Sequence, residues 1–300
     1  MRHPRWPMLS ALVLLLFTAP TWAEVCKGSK IPAATLRDYD AQATLSPDAQ
    51  QTALTIHLPW GQPACPKLLP SVAYVVCYDP AAKIAVWASY QLTADDLRKA
   101  DRRDAFRTDP RLTDTDSAHC ADYAGSGYDR GHVVPNSDMG RAAQVQAGTF
   151  YLSNMTPQSP ALNRGMWRWL EELVRTYVKQ YGTLHIITGA VVPENAPTVP
   201  SGNVRVPARY YKALLRVDAS GTPATALTIL LPNLLEGLPV PPGSRGVQGQ
   251  PLSAQAADAY LRGHTVSLRE IEYLTGVDLL PKLDAESLKK AVASELWPRN

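Results

Sequence analysis

Apolar positions along this chain fall into two periods, and glycine, proline and capping residues divide them into elements. Residues 72–78 and 84–92 are apolar and β-branched enough for adjacent strands, with Asp79-Pro80 opening the turn between them. Thr93 can cap a short helix running through Ala100. Residues 163–181 give the clearest helix, closed by Gly182 at the C-cap position. Further core strands are expected at residues 184–192, 210–217 and 224–231. Ser267 and Glu270 form a capping box for a helix ending near Gly276, and Asp284 can cap a last helix. The proline-rich stretches 193–207 and 239–249 read as surface loops, and no internal repeat is visible. The pattern predicts an α+β fold, a mixed domain around a central sheet.

Length and composition refine this picture. Three hundred residues suit one large domain or two small ones, with ample chain to bury a core, and the pattern above is read as a single domain. The first 23 read as a secretory leader: Arg2, His3 and Arg5 precede an apolar run from Met8 to Ala19, and small residues precede a cut after Ala23. That run is shorter than the about 20 residues of a membrane span. Cys26 also lacks the small residue that precedes a lipidated cysteine. The expected mature chain, 24–300, is therefore exported to the periplasm or beyond without membrane attachment, with 24–70 an extension of unassigned role. Removing the leader lowers the formal charge from +3 to +1. A nearly neutral chain that grips polyanions must concentrate its positive charge, and Arg98, Lys99, Arg102, Arg103, Arg107 and Arg111 do so in sequence. A solvated helix face is the plainer reading of such a run. Cys26, Cys65, Cys77 and Cys120 suggest two disulfides with three possible connectivities. A metal site using His119 beside Cys120 is the rival, but no matching ligand spacing is present.

Candidate chemistry gathers at Tyr128-Asp129-Arg130-Gly131-His132. In an extended segment Arg130 and His132 point the same way, placing an anion grip beside the side chain that titrates nearest neutrality. That suits hydrolysis of a phosphate ester; the bland alternative is an Asp-Arg pair at a turn beside a surface histidine. His185, in an apolar strand, reads as a satisfied core histidine, and Trp167 and Trp169 as packing residues. Asn163, where a helix begins, reads on its own as a cap.

Asp129-Arg130-Gly131-His132, taken with residues 149–175 and in particular Asn154-Met155-Thr156-Pro157-Gln158 and Asn163 to Arg175, resembles the DNA/RNA non-specific endonucleases, the ββα-metal nucleases that include mitochondrial endonuclease G. The likeness runs from about Tyr74 to about Pro281 and includes Tyr210-Tyr211-Lys212-Ala213, Leu231-Pro232-Asn233 and Ile271 to Gly276. It implies a mainly antiparallel sheet flanked by helices, with a His-Me finger active site. It implies that His132 is the general base, that Asn163 binds Mg2+ (Mn2+ as the alternative), and that DNA and RNA are substrates. The family pattern Arg-x-Asp-x-Phe falls on Arg102 to Phe106, making Arg102 the phosphate-binding arginine with Arg103 as the register alternative. On a regular helix Asn163 and Glu171 stand about 12 Å apart along the axis, so Glu171 is expected to reach the ion through a water. Arg175, one turn on, can pair with Glu171 or bind a neighbouring phosphate. Arg130 and Glu171 join His132 as catalytic groups, and Asp129 orients a loop or a neighbouring donor. The expected products carry 5′-phosphate and 3′-hydroxyl ends. A dead nucleic-acid-binding module and a phosphodiesterase for smaller esters are the alternatives. Metal selectivity, oligomeric state and any protein inhibitor are not legible.

Overall fold

The computed structural model describes residues 23–98 and 103–299. The leader and Arg102 therefore lie outside the described residues, apart from Ala23. Seven strands make the main sheet: β1 (Lys67–Pro70), β2 (Val75–Asp79), β3 (Ile84–Thr93), β6 (Thr183–Val191), β7 (Arg209–Val217), β8 (Pro223–Pro232) and β9 (Thr265–Val266). They stand in the order β1-β2-β3-β6-β7-β8-β9, every neighbour antiparallel. Strands β4 (Asp129–His132) and β5 (Met155–Gln158) form a separate antiparallel pair.

Both faces of the sheet are buried, which is why its strands read as continuous apolar runs. Along β7, Tyr210 and Leu214 join a core with Trp167, Leu170, Val174 and Tyr177 of the long helical segment, while Tyr211, Ala213 and Leu215 face Leu268 and Ile271 on the other side. The helices are α1 (Ala33–Ala41), α2 (Pro47–His57), α3 (Ala143–Gly148), α4 (Arg168–Tyr181), α5 (Ala254–Arg262), α6 (Leu268–Thr275) and α7 (Glu286–Lys290). Ser267 accepts the Glu270 N–H at 3.0 Å and Gly276 ends α6 at φ +68°, a left-handed turn that glycine reaches without strain.

Three expectations change. Thr93 is followed by a single 3-10 turn, Ala94–Leu97: Asp96 accepts the Thr93 N–H and hydroxyl at 2.9 and 2.6 Å and caps its start, but Arg98 turns to extended backbone at ψ 138° and ends it. Asp284 caps nothing: α7 starts after Ala285 with no side-chain cap. The helix expected from Asn163 is not one helix. Leu162–Trp167 forms a widened π turn in which Gly165 sits at φ −106°, ψ −114°, and regular α-helix begins only at Arg168.

The N-terminal extension is part of the fold. Cys26 pairs with Cys120 and Cys65 with Cys77, which chooses one of the three connectivities. The Cys26 N–H donates to Phe106 O at 2.9 Å and Lys30 N–H to Asp104 O at 2.8 Å, so this arm lines residues 104–108. Asp40 on α1 accepts from the fully buried Arg107 at 2.8 Å and from the Tyr151 hydroxyl at 2.6 Å. Arg111 is likewise tied to buried Asp109 at 2.6 Å. The basic cluster expected at 98–111 is thus not one surface strip, since two of its arginines neutralise internal carboxylates.

His185 is a core histidine: buried, edge-on to Trp60 at 4.7 Å, its Nε2 3.2 Å from the Gln91 amide nitrogen. Burial pushes it down to about 4, with His57 adding in the same sense. Its folded value lies below the unfolded one, so its contribution is present above about pH 6.5 and is lost as pH falls toward 4. We expect urea-unfolding stability to drop by about 3 kcal/mol over that window from this group. His185→Gln should flatten the slope correspondingly; an unchanged slope would show that other groups carry the acid sensitivity.

Candidate active site

Residues 94–182 leave the sheet between two neighbouring strands, β3 and β6, and return after building the site. Within this excursion β4, backed by β5, and the turn-plus-helix 162–181 line a cavity of about 660 Å3. Its walls carry Asp129, Arg130, His132, Asn163, Glu171 and Arg175 together. Arg103, the register alternative, is exposed and is not part of that wall.

The β4–β5 pair is held by buried amides. Asn154 accepts the Val134 N–H at 2.9 Å and donates to Val134 O and Thr149 O at 3.0 and 2.8 Å, fixing the chain just beyond His132. Asn233, beyond β8, accepts the Ser159 N–H at 2.8 Å and donates to Pro157 O at 3.0 Å, tying the end of β5 to the main sheet. Gly131 faces Thr156 across the pair, and a Cβ there would stand 2.3 Å from the side-chain oxygen of fully buried Gln158. Only glycine lets the strands close.

His132 is set by rings. Phe150 meets it edge-on at 4.9 Å and Phe106 lies tilted at 5.7 Å. The Arg130 guanidinium stacks over Phe106 at 4.1 Å, which aims it into the cavity, and partial burial lowers its pKa from the ordinary value. Phe106 is the residue that orders both groups, and it ends the Arg-x-Asp-x-Phe segment.

Asp129 governs the other wall. Its carboxylate accepts from the Asn163 amide at 2.9 Å and from two Arg164 nitrogens at 2.7 and 2.5 Å. With its nitrogen so committed, Asn163 has its amide oxygen left as an acceptor. The π turn matters here: the widened coil takes Asn163 out of the register of Trp167, Glu171 and Arg175, so the straight-helix separation of about 12 Å does not apply. Glu171 and Asn163 line one cavity. Arg175 pairs with buried Asp138 at 3.1 Å, and Tyr90 donates to the same carboxylate at 3.0 Å.

Beneath this wall lies Lys212, fully buried on the α4 face of β7. It donates to Thr188 at 3.1 Å and lies 4.8 Å from the centre of the Trp167 ring. Burial pushes its ammonium below the usual lysine range, opposed by the negative charges of Glu171 and Asp138. The cavity rim adds Arg164, Arg168 and Arg245, three cations not expected from the sequence. Arg168 pairs with Glu172, and its other nitrogen reaches Pro242 O at 2.5 Å, linking α4 to the 239–249 loop. Arg164 was within reach as the neighbour of Asn163; Arg245 arrives from a distant loop and gave no signal.

A cation fits this donor set in one way. Among the described residues there is no cluster of three or more His, Cys, Asp or Glu suited to a metal. A single amide oxygen, with a carboxylate on the same cavity, suits a hard ion that keeps most of its waters.

The family profile described as DNA/RNA non-specific endonuclease matches residues 57–286. The chain is 31% identical over 251 residues to Nuclease C1 of Cunninghamella echinulata var. echinulata, covering 77% of this chain and 90% of that one. It is 32% identical over 243 residues to a nuclease of Nostoc sp., covering 76% and 81%. To human mitochondrial endonuclease G it is 33% identical over 186 residues, covering 58% of this chain and 62% of the relative. A chain in the crystal structure of the EndoG/EndoGI complex superposes with a TM-score of 0.66 at 22% identity, over 82% of this chain and 97% of that one, a likeness of fold.

The contact at Gly131 yields a test. Gly131→Ala should destabilise the protein by about 1–3 kcal/mol in denaturant unfolding, because buried Gln158 must move. Among the described residues Gln158 has no hydrogen-bond partner for its amide, so Gln158→Ala in that background should recover part of the loss. A double variant less stable than the single would show that the clash is not the cause.

Proposed function

The chain belongs to the DNA/RNA non-specific endonuclease family, and on that premise we propose that it is an exported, sugar-non-specific, metal-dependent endonuclease. It hydrolyses phosphodiester bonds of DNA and RNA and leaves 5′-phosphate and 3′-hydroxyl ends. The observation that carries this reading is the Asp129 carboxylate, which turns the Asn163 amide within the cavity that His132 and Arg130 share.

His132, oriented by Phe106 and Phe150, takes the proton of the attacking water. Arg130 meets the charge that develops on the phosphorus oxygens as the bond to the 3′ oxygen breaks. Asn163 would hold Mg2+ or Mn2+ by its oxygen, with Glu171 acting through a water. When bound, the ion supplies charge neutralisation at the phosphate and the leaving oxygen. Lys212 and Arg175, buried or half-buried, place positive charge near Glu171. Arg164, Arg168 and Arg245 extend the positive rim beyond one phosphate, which favours polymers over small esters. The two disulfides suit an oxidising compartment, in keeping with a leader cut after Ala23. Nothing in the scheme reads a base or a 2′-hydroxyl.

His132→Ala should abolish cleavage of plasmid and transcript while gel-shift binding and the melting transition stay close to parent. Asn163→Ala should lose Mg2+ affinity by calorimetry along with activity, and Glu171→Gln should weaken both less. Near-normal turnover of the His132 variant would remove it as the base, and equal loss of ion binding in the other two would make Glu171 a direct ligand.

Cleavage should also fall steeply with salt and vary little between single-stranded DNA, duplex and RNA. Arg102→Ala, a position outside the described residues, should weaken all three and flatten the salt slope by about one unit. A fixed recognition sequence, or refusal of one sugar type, would contradict recognition through phosphates.

A further inference from the structure

A second cavity, of about 590 Å3, adjoins the first and shares Asp129 and Arg130 with it. Its character differs. Where the first is rimmed by guanidinium groups, this one is walled by Tyr123, Tyr128, the Cys26–Cys120 disulfide and two alanines, with Lys27 at its edge. We propose that it is a nucleoside subsite: it takes the nucleobase next to the phosphate gripped by Arg130, stacked on Tyr128. This rests on the reading of the protein as a nuclease.

The argument begins with continuity. A polynucleotide whose phosphate lies on Arg130 carries its flanking sugar and base a few ångströms away, and Arg130 is the partition between the two cavities. Tyr128 stands two positions before Arg130, so in extended chain their side chains share a face. Tyr128 is half-buried, packed against the cluster that holds Tyr123, Leu152 and Met155, and it lines the cavity, as a stacking platform must. Tyr123 is 6% exposed and packs in the cluster beneath the cavity, so it forms a firm floor under Tyr128.

Electrostatics agree. Besides Asp129, the wall contains one carboxylate, Glu24, and it is turned to His119 at 3.1 Å. Lys27 adds a cation to the lining of the same cavity. Stacking tolerates every base, so such a subsite adds grip without imposing a recognition sequence. It demands an unstacked nucleotide, which single strands supply at no cost in base pairing.

The test uses the mature full-length protein and single-stranded oligothymidylates, each with one abasic sugar at a different position, with cleavage at every bond followed on gels. In the parent, the abasic sugar should raise KM about ten-fold for a bond at one fixed offset and little elsewhere. Tyr128→Ala should raise KM for the unmodified strand by a similar factor and erase the abasic penalty, since both remove one stack. Tyr128→Phe should restore both, which separates loss of stacking from misfolding, and Tyr123→Phe should change KM less than Tyr128→Ala. No position-dependent penalty in the parent, or a penalty that persists in Tyr128→Ala, overturns the subsite while leaving the nuclease reading intact. A folded parent that cleaves no nucleic acid removes that reading and the subsite with it.

Discussion

The site depends on one carboxylate. Asp129 sits at the start of a short strand and accepts three hydrogen bonds from two consecutive residues of the π turn, Asn163 and Arg164. Those bonds join elements that are thirty-odd residues apart in sequence and fix which atom of Asn163 is spoken for. They also bind Arg164 more firmly to its proton, first through the hydrogen bonds to Asp129. Charge-assisted bonds of this kind are roughly twice as strong as neutral ones. The widened turn is the backbone's accommodation to them: Gly165, lacking a Cβ, takes up dihedral angles that no regular helix uses, so the coil reaches β4 before it straightens at Arg168.

Much of the sheet was legible because its strands are buried on both faces and therefore apolar throughout; β3, β6, β7 and β8 fall within a residue or two of expectation. Caps at Ser267 and Gly276 were legible because they act over three or four residues. The π turn was not. Spacing by fours from Asn163 to Arg175 fits a straight helix, and the force that bends it comes from Asp129, far away in sequence. Asp284 failed as a cap for the complementary reason, that a capping residue type implies nothing without the helix in register. At the site, adjacency in sequence brought Asp129, Arg130 and His132 to notice. Phe106, Lys212 and Arg245 act through packing or from remote segments, so periodicity carries no trace of their roles.

Charge is distributed differently from what its order in the chain suggests. Arg107 and Arg111, in the densest basic stretch, are internal counter-ions for Asp40 and Asp109. The cations that face the cavity come from β4, the π turn, α4, which supplies two, and the 239–249 loop. A nearly neutral chain can therefore present a concentrated positive field at one place, because the fold spends some arginines on its interior and gathers others from four segments.

The position of residues 94–182 between two adjacent strands also bears on how the chain folds. Strands β6, β7 and β8 are joined by connections of seventeen and five residues, and can pair as a meander without waiting for the rest. Pairing β3 with β6 must first close a loop of about ninety residues, whose entropic cost grows only logarithmically with length but whose search is slow. Docking of β3 on β6 is what pins the excursion at both ends. The excursion is fastened within its length as well as at its ends, by the Cys26–Cys120 disulfide and by Asn233, so chain can be added or removed most freely between those ties.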